Sequence, residues 1–349
     1  MPTRQSFYEF ELGELETWFT ERGYPPYRAR QLFTNVYRRG MDDFGAMTDL
    51  PLPLRAELAR TLDLGVLRPH RTKTSETENA VKTVWTLADG RQIESVMMSA
   101  DYRDTVCFST QVGCAFNCSF CITAKLGRIR QLTSGEIVAQ IHHLTRGRDP
   151  HSRGANLVAM GMGEPLDNLD ALLAAFRILR EPAGLNISGR RITVSTVGVV
   201  PGIERMAREA PEIRLALSLN ATTDAVRRRL MPVTKKYPIE ILLGAVEAFT
   251  RTTRSRVTLE YVLIRGMNDT PEDADRLGKI AARFPSKVNL IPFNPSEMFP
   301  YERPTPEEVN AFARRVWPHN TTVTVRYSKG VDILAACGQL GYEQLHEVS

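Results

Sequence analysis

The sequence has no run of eighteen apolar residues, which leaves no candidate for a membrane-spanning helix. Its first residues, MPTRQSFYEFELGELE, lack both the apolar stretch of a signal peptide and the acid-poor character of a transit peptide. A cytoplasmic protein with reduced thiols is therefore expected. Cysteine is scarce, five in 349 residues, and an odd number in a chain without an export signal argues against a disulfide scaffold. No internal repeat or low-complexity segment points to a solenoid. Positive charge is only slightly in excess, with 45 Lys+Arg against 40 Asp+Glu.

That small excess is clustered, at KLGRIR (125–130), RGRDPHSR (146–153), SGRR (188–191), RRR (227–229), KK (235–236) and RTTRSR (251–256). Such clusters can form a phosphate-binding field or can be solvated loops, and charge alone leaves both open.

With 42% apolar and 24% charged residues, the chain suits a globular protein of one large domain, or one large and one small. Residues 1–80 read as a small helical unit. ELGELETWFTERG and YRARQLFTNVYRRG carry apolar residues at helical spacing and end on glycine, and MTDLPLPLRAELARTL adds a third helix. Residues 81–104 read as a hairpin and linker around Asp89-Gly90.

From 105 to 349 short apolar runs (TVCFST, NLVAMG, RITVST, RLALSL, RVTLEYVLI, KVNLIP, TVTVRY) alternate with helix-period segments. Such alternation predicts a parallel sheet with helices outside it. No G-x-G-x-x-G follows the first strand, so a full or partial α/β barrel is favoured over a doubly wound sheet. Barrel chemistry sits where strands end in loops. That face receives the cysteines after the first strand, GMGEP after the second, Ser195 at the third, SLN (218–220) at the fourth and PFNP (292–295) at the sixth.

Cys114, Cys118 and Cys121 stand in the spacing C-x3-C-x2-C, with Cys107 upstream and Cys337 near the chain end. A structural zinc ion takes four ligands, and only His142 and His143 in the next helix could complete the set. Three thiolates also suit a [4Fe–4S] cluster with one iron open to a substrate. Chemistry alone leaves both metals in play.

The cysteine spacing after a first barrel strand resembles the radical S-adenosylmethionine superfamily. Seven further segments resemble its RlmN-type adenine-C2 RNA methyltransferases: SxQVGCAFNCxFC (109–121), MGMGEPLDN (160–168), VSTVGVVP (194–201), KKYPIE (235–240), EYVLIRGMND (260–269), VNLIPFNP (288–295) and DILAACGQL (332–340). PYRARQLFTNVYRRGMDDFGAMTDLP resembles that family's accessory domain, so the likeness spans nearly the whole chain.

The resemblance implies a partial (β/α) radical SAM barrel with a small N-terminal RNA-binding domain. It implies a [4Fe–4S] cluster on Cys114, Cys118 and Cys121, and two S-adenosylmethionine molecules per turnover. Gly163, Glu164, Ser195, Ser218, Leu219, Asn220 and Asn294 would bind that cofactor. Taken singly, Glu164 could instead cap the next helix, and the two serines could be ordinary strand ends. The implied substrates are 23S rRNA and tRNA, with an external electron donor such as flavodoxin or ferredoxin, no membrane, and a monomeric enzyme.

C2 of adenine is electron-poor and the methyl of S-adenosylmethionine is an electrophile, so direct transfer is mismatched. In the resembled mechanism Cys337 first takes a methyl by displacement. A 5′-deoxyadenosyl radical then abstracts hydrogen from that methyl, and the carbon radical joins C2. Cys107 removes the C2 proton and attacks the Cys337 sulfur, leaving a Cys107–Cys337 disulfide for later reduction. Glu94, in the hairpin's second strand, matches a family carboxylate implied to move protons, with burial or a salt bridge as its other reading.

Three positions depart from the family pattern: Asn220 where histidine is common, Leu334 where aspartate is common, and Ile122 in place of a small residue. Two rivals stand beside this reading. One is the Cfr-type relative that methylates C8, against which Pro165, Val112 and Pro292-Phe293-Asn294 look more like the C2 branch. The other is a non-catalytic RNA-binding protein with a structural metal.

Overall fold

The structure is a computed structural model that describes residues 4–147, 154–319 and 322–347. Residues 148–153 of the RGRDPHSR cluster lie outside the described residues. The N-terminal helices form where the spacing places them: α1 (Leu12–Glu21), α2 (Tyr27–Tyr37) and α3 (Leu52–Thr61). α1 opens on a capping box in which the Glu11 and Glu14 side chains each accept from the other's backbone N–H. The inward faces bury Leu15, Phe19, Leu32, Phe33, Leu54 and Leu58 completely.

One ten-stranded sheet organises the rest. Its strands are β1 (Leu67–Thr74), β2 (Ala80–Leu87), β3 (Gln92–Met98), β4 (Asp104–Cys107) and β5 (Ala155–Ala159). They continue as β6 (Ile192–Thr196), β7 (Arg214–Ser218), β8 (Val257–Leu263), β9 (Ser286–Pro292) and β10 (Thr322–Val325). Spatial order equals chain order, and β4 through β10 are all parallel. A doubly wound sheet would reverse direction at a switch point. Winding one way throughout curls the sheet towards a barrel, left open because β1 and β10 do not pair.

β1 to β4 are antiparallel neighbours. The expected hairpin of β2 and β3 gains a third strand: β1 falls within the segment read as helical. Its sequence, LRPHRTKT, is mostly exposed and carries no apolar alternation, so no burial pattern marks it as a strand.

Outside the sheet run α4 (Ser134–Thr145), α5 (Leu169–Arg180), α6 (Val200–Glu209), α7 (Asp224–Leu230), α8 (Ile239–Thr253), α9 (Pro271–Ala281), α10 (Pro306–Val316) and, near the chain end, α11 (Tyr342–Glu347). α4 and α10 start at capping boxes, Thr133 with Glu136 and Thr305 with Glu308. α6 and α7 are additions to the sequence reading. Pro201 lies in the first turn of α6, where a missing N–H costs nothing, and the seven residues of α7 are too few for a period.

α4 seats the N-terminal unit on the barrel. A side chain at Gly135 would run into Glu9 Cγ at 2.6 Å and Ser6 Oγ at 2.8 Å, so only glycine allows this approach. His142 packs 5.5 Å from the ring centroids of both Tyr8 and Tyr37, and His143 5.5 Å from Trp85. Burial lowers the His142 pKa to about 3 and that of His143 to about 4, so both stay neutral. No described helix is long and apolar enough to cross a membrane.

Candidate active site

Beyond Cys107 the chain turns through Phe108–Thr110 into a short ribbon, Gln111–Gly113 against Arg128–Gln131, which closes the cysteine loop at its base. The Cys114 N–H donates to Gly127 O at 2.9 Å. Gly113 has φ +76°, and a Cβ there would collide with that same carbonyl, so glycine is required. Inside the loop the Cys121 N–H donates to Cys118 O (3.2 Å) and the Ser119 N–H to Leu230 O (2.8 Å).

The loop borders an open cleft of about 940 Å³ at the carboxyl ends of the parallel strands. Cys118, Cys121, Gly163, Glu164, Ser195, Ser218, Asn220 and Asn294 all line it, as does Cys337. Burial pushes the Cys114 thiol up to about 12, with Cys121 adding to the shift, and Cys118 rises well above the ordinary range. The three sulfurs are thus close enough to oppose one another's ionisation.

Among the described residues no three His, Cys, Asp or Glu side chains close on a single ion. A zinc site needs four donors on one ion, whereas a cubane gives each thiolate its own iron and suits wider spacing. His142 and His143, the conceivable completion of a zinc site, are turned into the N-terminal unit instead. The donor set therefore fits an iron–sulfur cluster, which the three thiolates would hold beside the cleft.

Glu164 is almost fully buried and engaged at both oxygens. Its Oε1 accepts from Thr196 Oγ1 (2.6 Å) and the Leu166 N–H (3.1 Å), and Oε2 from the Val197 N–H (2.9 Å). It does cap the following helical turn, the plainer of its two readings, while also facing the cleft. Burial raises its pKa to about 7 against the pull of those donors. Gly163 has φ +101°, and a Cβ there would sit 2.5 Å from Gln111 Cβ.

Ser195, next to last in β6, and Ser218, last in β7, have their hydroxyls 3.3 Å apart. The Leu219 side chain is fully buried and does not line the cleft; its backbone N–H bonds Glu260 O at 3.0 Å. Asn220, at φ +55°, spends its amide on the fold: Oδ1 accepts from the Val262 N–H (2.8 Å) and Nδ2 meets Met231 Sδ (3.3 Å). Asn294 Nδ2 donates to Cys337 O at 3.2 Å, and its buried Oδ1 has no partner.

Cys107 and Cys337, 230 positions apart, meet at a second, narrow cavity that both line. Cys337, Met160 and Arg326 belong to both cavities, so this sulfur stands between the cleft and Cys107. Cys337 is solvent-exposed because it faces open space deep in the molecule. Burial pushes Cys107 up to about 12 and raises Cys337, while Arg326 opposes both shifts. All five cysteines are free, so the implied disulfide is not formed in this structure.

Glu94 lines neither cavity. It is fully buried, with Oε2 3.5 Å from Lys82 Nζ, which is the salt-bridge reading of that residue. Sequence reasoning missed three cleft-side groups. Glu260 interrupts the otherwise apolar Leu259–Leu263 stretch, and its buried Oε2 is unpartnered. Arg326 follows the last strand. Arg227 belongs to RRR, read as a surface cluster, yet is wholly buried.

The basic clusters divide between the two ends of the barrel. SGRR and RTTRSR precede β6 and β8 and so lie opposite the cleft, while KLGRIR, RRR and KK follow β4 and β7 on the cleft side. There Arg128 pairs with Asp167 (2.7 Å) and Arg130 with Glu136 (2.8 Å), whereas Arg228, Arg229, Lys235 and Lys236 are exposed.

Residues 6–64 match the family model described as Ribosomal RNA large subunit methyltransferase N-terminal domain, and residues 108–277 match the Radical SAM superfamily. The chain is 44% identical over 338 residues to "Probable dual-specificity RNA methyltransferase RlmN" of Symbiobacterium thermophilum, covering 97% of this chain and 91% of that one. It is 44% identical over 329 residues to "Dual-specificity RNA methyltransferase RlmN" of Geobacter sulfurreducens, covering 94% and 90%. A solved radical SAM methyltransferase from Sphaerobacter thermophilus superposes with TM-score 0.92 at 45% identity, over 97% of this chain and 99% of that chain. With the cysteine loop, the cleft and the paired outlying thiols already in place, these likenesses make the chain a member of the RlmN family of radical SAM RNA methyltransferases.

Proposed function

We propose that this enzyme methylates C2 of an adenine in 23S rRNA and in tRNA, with Cys337 as methyl carrier and Cys107 as resolving thiol. The observation that carries the proposal is the position of Cys337, shared by the cofactor cleft and the cavity of Cys107. One sulfur can there be loaded from one side and released from the other. The family's cofactors are a [4Fe–4S] cluster and S-adenosylmethionine, used twice. When bound, the cluster supplies the low-potential electron for reductive cleavage of S-adenosylmethionine.

The chain's own residues divide the remaining work. Cys114, Cys118 and Cys121 hold the cluster; Glu164, Ser195 and Ser218 orient the cofactor through carboxylate and hydroxyls on the cleft wall. Cys337 attacks the cofactor methyl as a thiolate, which Arg326 favours by its charge. Burial raises the Cys107 pKa, which keeps this thiol from competing for the methyl, and its thiolate takes the C2 proton as the adduct is resolved. Residues 1–80 and the exposed cleft-side arginines and lysines hold RNA phosphates, and the target base leaves its stack to reach the cleft. A monomeric cytoplasmic enzyme with a flavodoxin- or ferredoxin-like electron donor completes the proposal.

The test uses Cys107→Ala and Cys337→Ala with RNA, reductant and S-adenosylmethionine. Cys107→Ala accumulates protein bonded to RNA through a methylene on the Cys337 sulfur, as a gel shift that survives denaturant and disappears with nuclease. Cys337→Ala forms none. Normal turnover by Cys107→Ala, or the same behaviour from both variants, would refute the division of labour, and mass spectrometry of product adenine separates C2 from C8.

A further inference from the structure

Cys337 lies in a stretch with little regular structure. Between Val325, where β10 ends, and Tyr342, where α11 begins, the chain makes only turns and bends. Gly330, Leu334, Gly338 and Gly341 there all adopt positive φ. No helix or strand ladder fixes the sulfur, so its position depends on what grips the segment from outside.

Asn294 and the cysteine loop hold Cys337, Gly338 and Leu340, and the antiparallel extension holds the flanks. Lys82 on β2 is fully buried, and its Nζ donates to Leu334 O at 3.4 Å and pairs with Glu343 Oε1 at 3.1 Å. Its third contact is Glu94 Oε2 at 3.5 Å. Glu94 Oε1 in turn accepts from the Gly341 N–H at 3.2 Å. The pair therefore holds backbone on both flanks of Cys337, at Leu334 before it and Gly341 after it, and a side chain beyond. An outer ring reinforces the first flank: Ser75 Oγ donates to Asp332 Oδ1 (2.9 Å), Glu76 N–H to Asp332 Oδ2 (3.1 Å), and Gly330 N–H to Glu78. Arg71 (2.9 Å) and Lys73 (2.7 Å) hold Glu343 from the other side.

We propose that Lys82 and Glu94 form a buried clamp that positions Cys337 between the cleft and Cys107, a role that rests on the carrier assignment above. A buried ion pair is a poor way to stabilise a sheet, since apolar side chains of similar volume do it as well or better. What apolar side chains cannot do is bond the Leu334 carbonyl and the Gly341 amide. Glu94 acts through the segment that carries the thiol, and both residues are positioning residues.

The test is the double variant K82M/E94M, which removes both backbone bonds, leaves no unpaired buried charge and keeps Arg71 and Lys73 on Glu343, with K82R as the conservative control. Hydrogen exchange on cofactor-free protein reads the segment, and the loaded enzyme is followed by Cys337 methylation and 5′-deoxyadenosine release alongside bound iron. In the double variant amides of 330–341 exchange faster while β5–β8 keep their protection. Cys337 methylation slows by about a hundredfold, the scale of a displacement near 1 Å, and 5′-deoxyadenosine release falls with the methyl that gives it hydrogen, while bound iron is retained. K82R recovers methylation at least in part. Wild-type exchange and methylation in the double variant overturn the clamp. A parallel loss of methylation and bound iron also overturns it, because that is general damage. Absence of methyl on Cys337 in the unsubstituted protein overturns the carrier assignment instead, which the exchange result does not depend on.

Discussion

Arg227 offers a quantitative check on how the cleft wall is held. Its Nε donates to Leu219 O (3.0 Å), one terminal nitrogen to Thr234 Oγ1 (2.9 Å), and the other to Val197 O (2.6 Å) and Ser218 O (3.2 Å). No carboxylate pairs with it among the described ion pairs, and burial lowers its pKa to about 10, still charged at neutral pH. One guanidinium thus ties together the carboxyl ends of β6 and β7, the two strands that bring Ser195 and Ser218 into the cleft. Arg227→Met removes all four bonds and strands the buried Leu219 carbonyl and the part-buried Val197 and Ser218 carbonyls, at a cost of about 1–3 kcal/mol each, least for the last two. Part of that loss returns because an unpaired cation is no longer desolvated, which is itself worth several kcal/mol. A net destabilisation of about 3 kcal/mol is expected, a large share of a total of about 5–15 kcal/mol. Urea unfolding of cofactor-free protein reads it as a midpoint lowered by about 1 M at a slope near 3 kcal/mol/M. Arg227→Lys, which keeps the charge and reaches fewer carbonyls, should fall between. A loss below about 1 kcal/mol for Arg227→Met, the size of one ordinary hydrogen bond, would refute the reasoning.

Alanine at Cys114, Cys118 or Cys121 should abolish iron binding and 5′-deoxyadenosine formation in anaerobically prepared protein; a variant that keeps about four irons and cleaves the cofactor would sink the ligand assignment. The buried His142 predicts acid sensitivity at the seat of the N-terminal unit. Its folded pKa, about 3, lies below the usual 6.5, so the unfolded state binds the extra proton and stability falls as pH drops below 6.5. At pH 5 the loss from His142 alone is about 2 kcal/mol. His142→Phe should flatten the decline in denaturation midpoint between pH 7 and 5, and an unchanged slope would show that the histidine does not carry it.

Periodicity located seven parallel strands and the face on which their chemistry lies, because each strand's burial depends on its own side chains. It did not separate Arg227 from Arg228: both are arginines in a short helix, and only the carbonyls of two other strands make one of them internal. β1 was invisible for a related reason. Its exposed basic residues follow no hydrophobic rule, and its pairing is supplied by β2. Lys82 interrupts the apolar residues of its strand, a local anomaly that sequence shows, yet its partners at Leu334 and Glu343 lie some 250 residues on. The cysteines were legible because ligation chemistry constrains spacing within one loop. The meeting of Cys107 with Cys337 came from resemblance alone, since no local rule links the first barrel strand to the chain's end.

The open barrel supplies the physical reason for that meeting. Winding in chain order sends the first parallel strand and the last to opposite sides of a sheet that does not close by backbone pairing. After β10 the chain bridges the gap. The Arg326 N–H donates to Leu290 O on β9 (2.8 Å), and Lys329 Nζ reaches Ser99 O beside β3 (3.3 Å). The segment then returns over the cysteine loop, where Gly338 O accepts from the Ile122 N–H (2.8 Å) and Leu340 O from Thr123 Oγ1 (2.7 Å). Cys337 lies on that crossing, between the cysteine loop and a strand that ends in Cys107. A thiol on a barrel strand would face only the space its own register allows. One on the segment that closes the barrel faces both sides of the closure, and a sulfur that is loaded from one cavity and discharged into another needs that position.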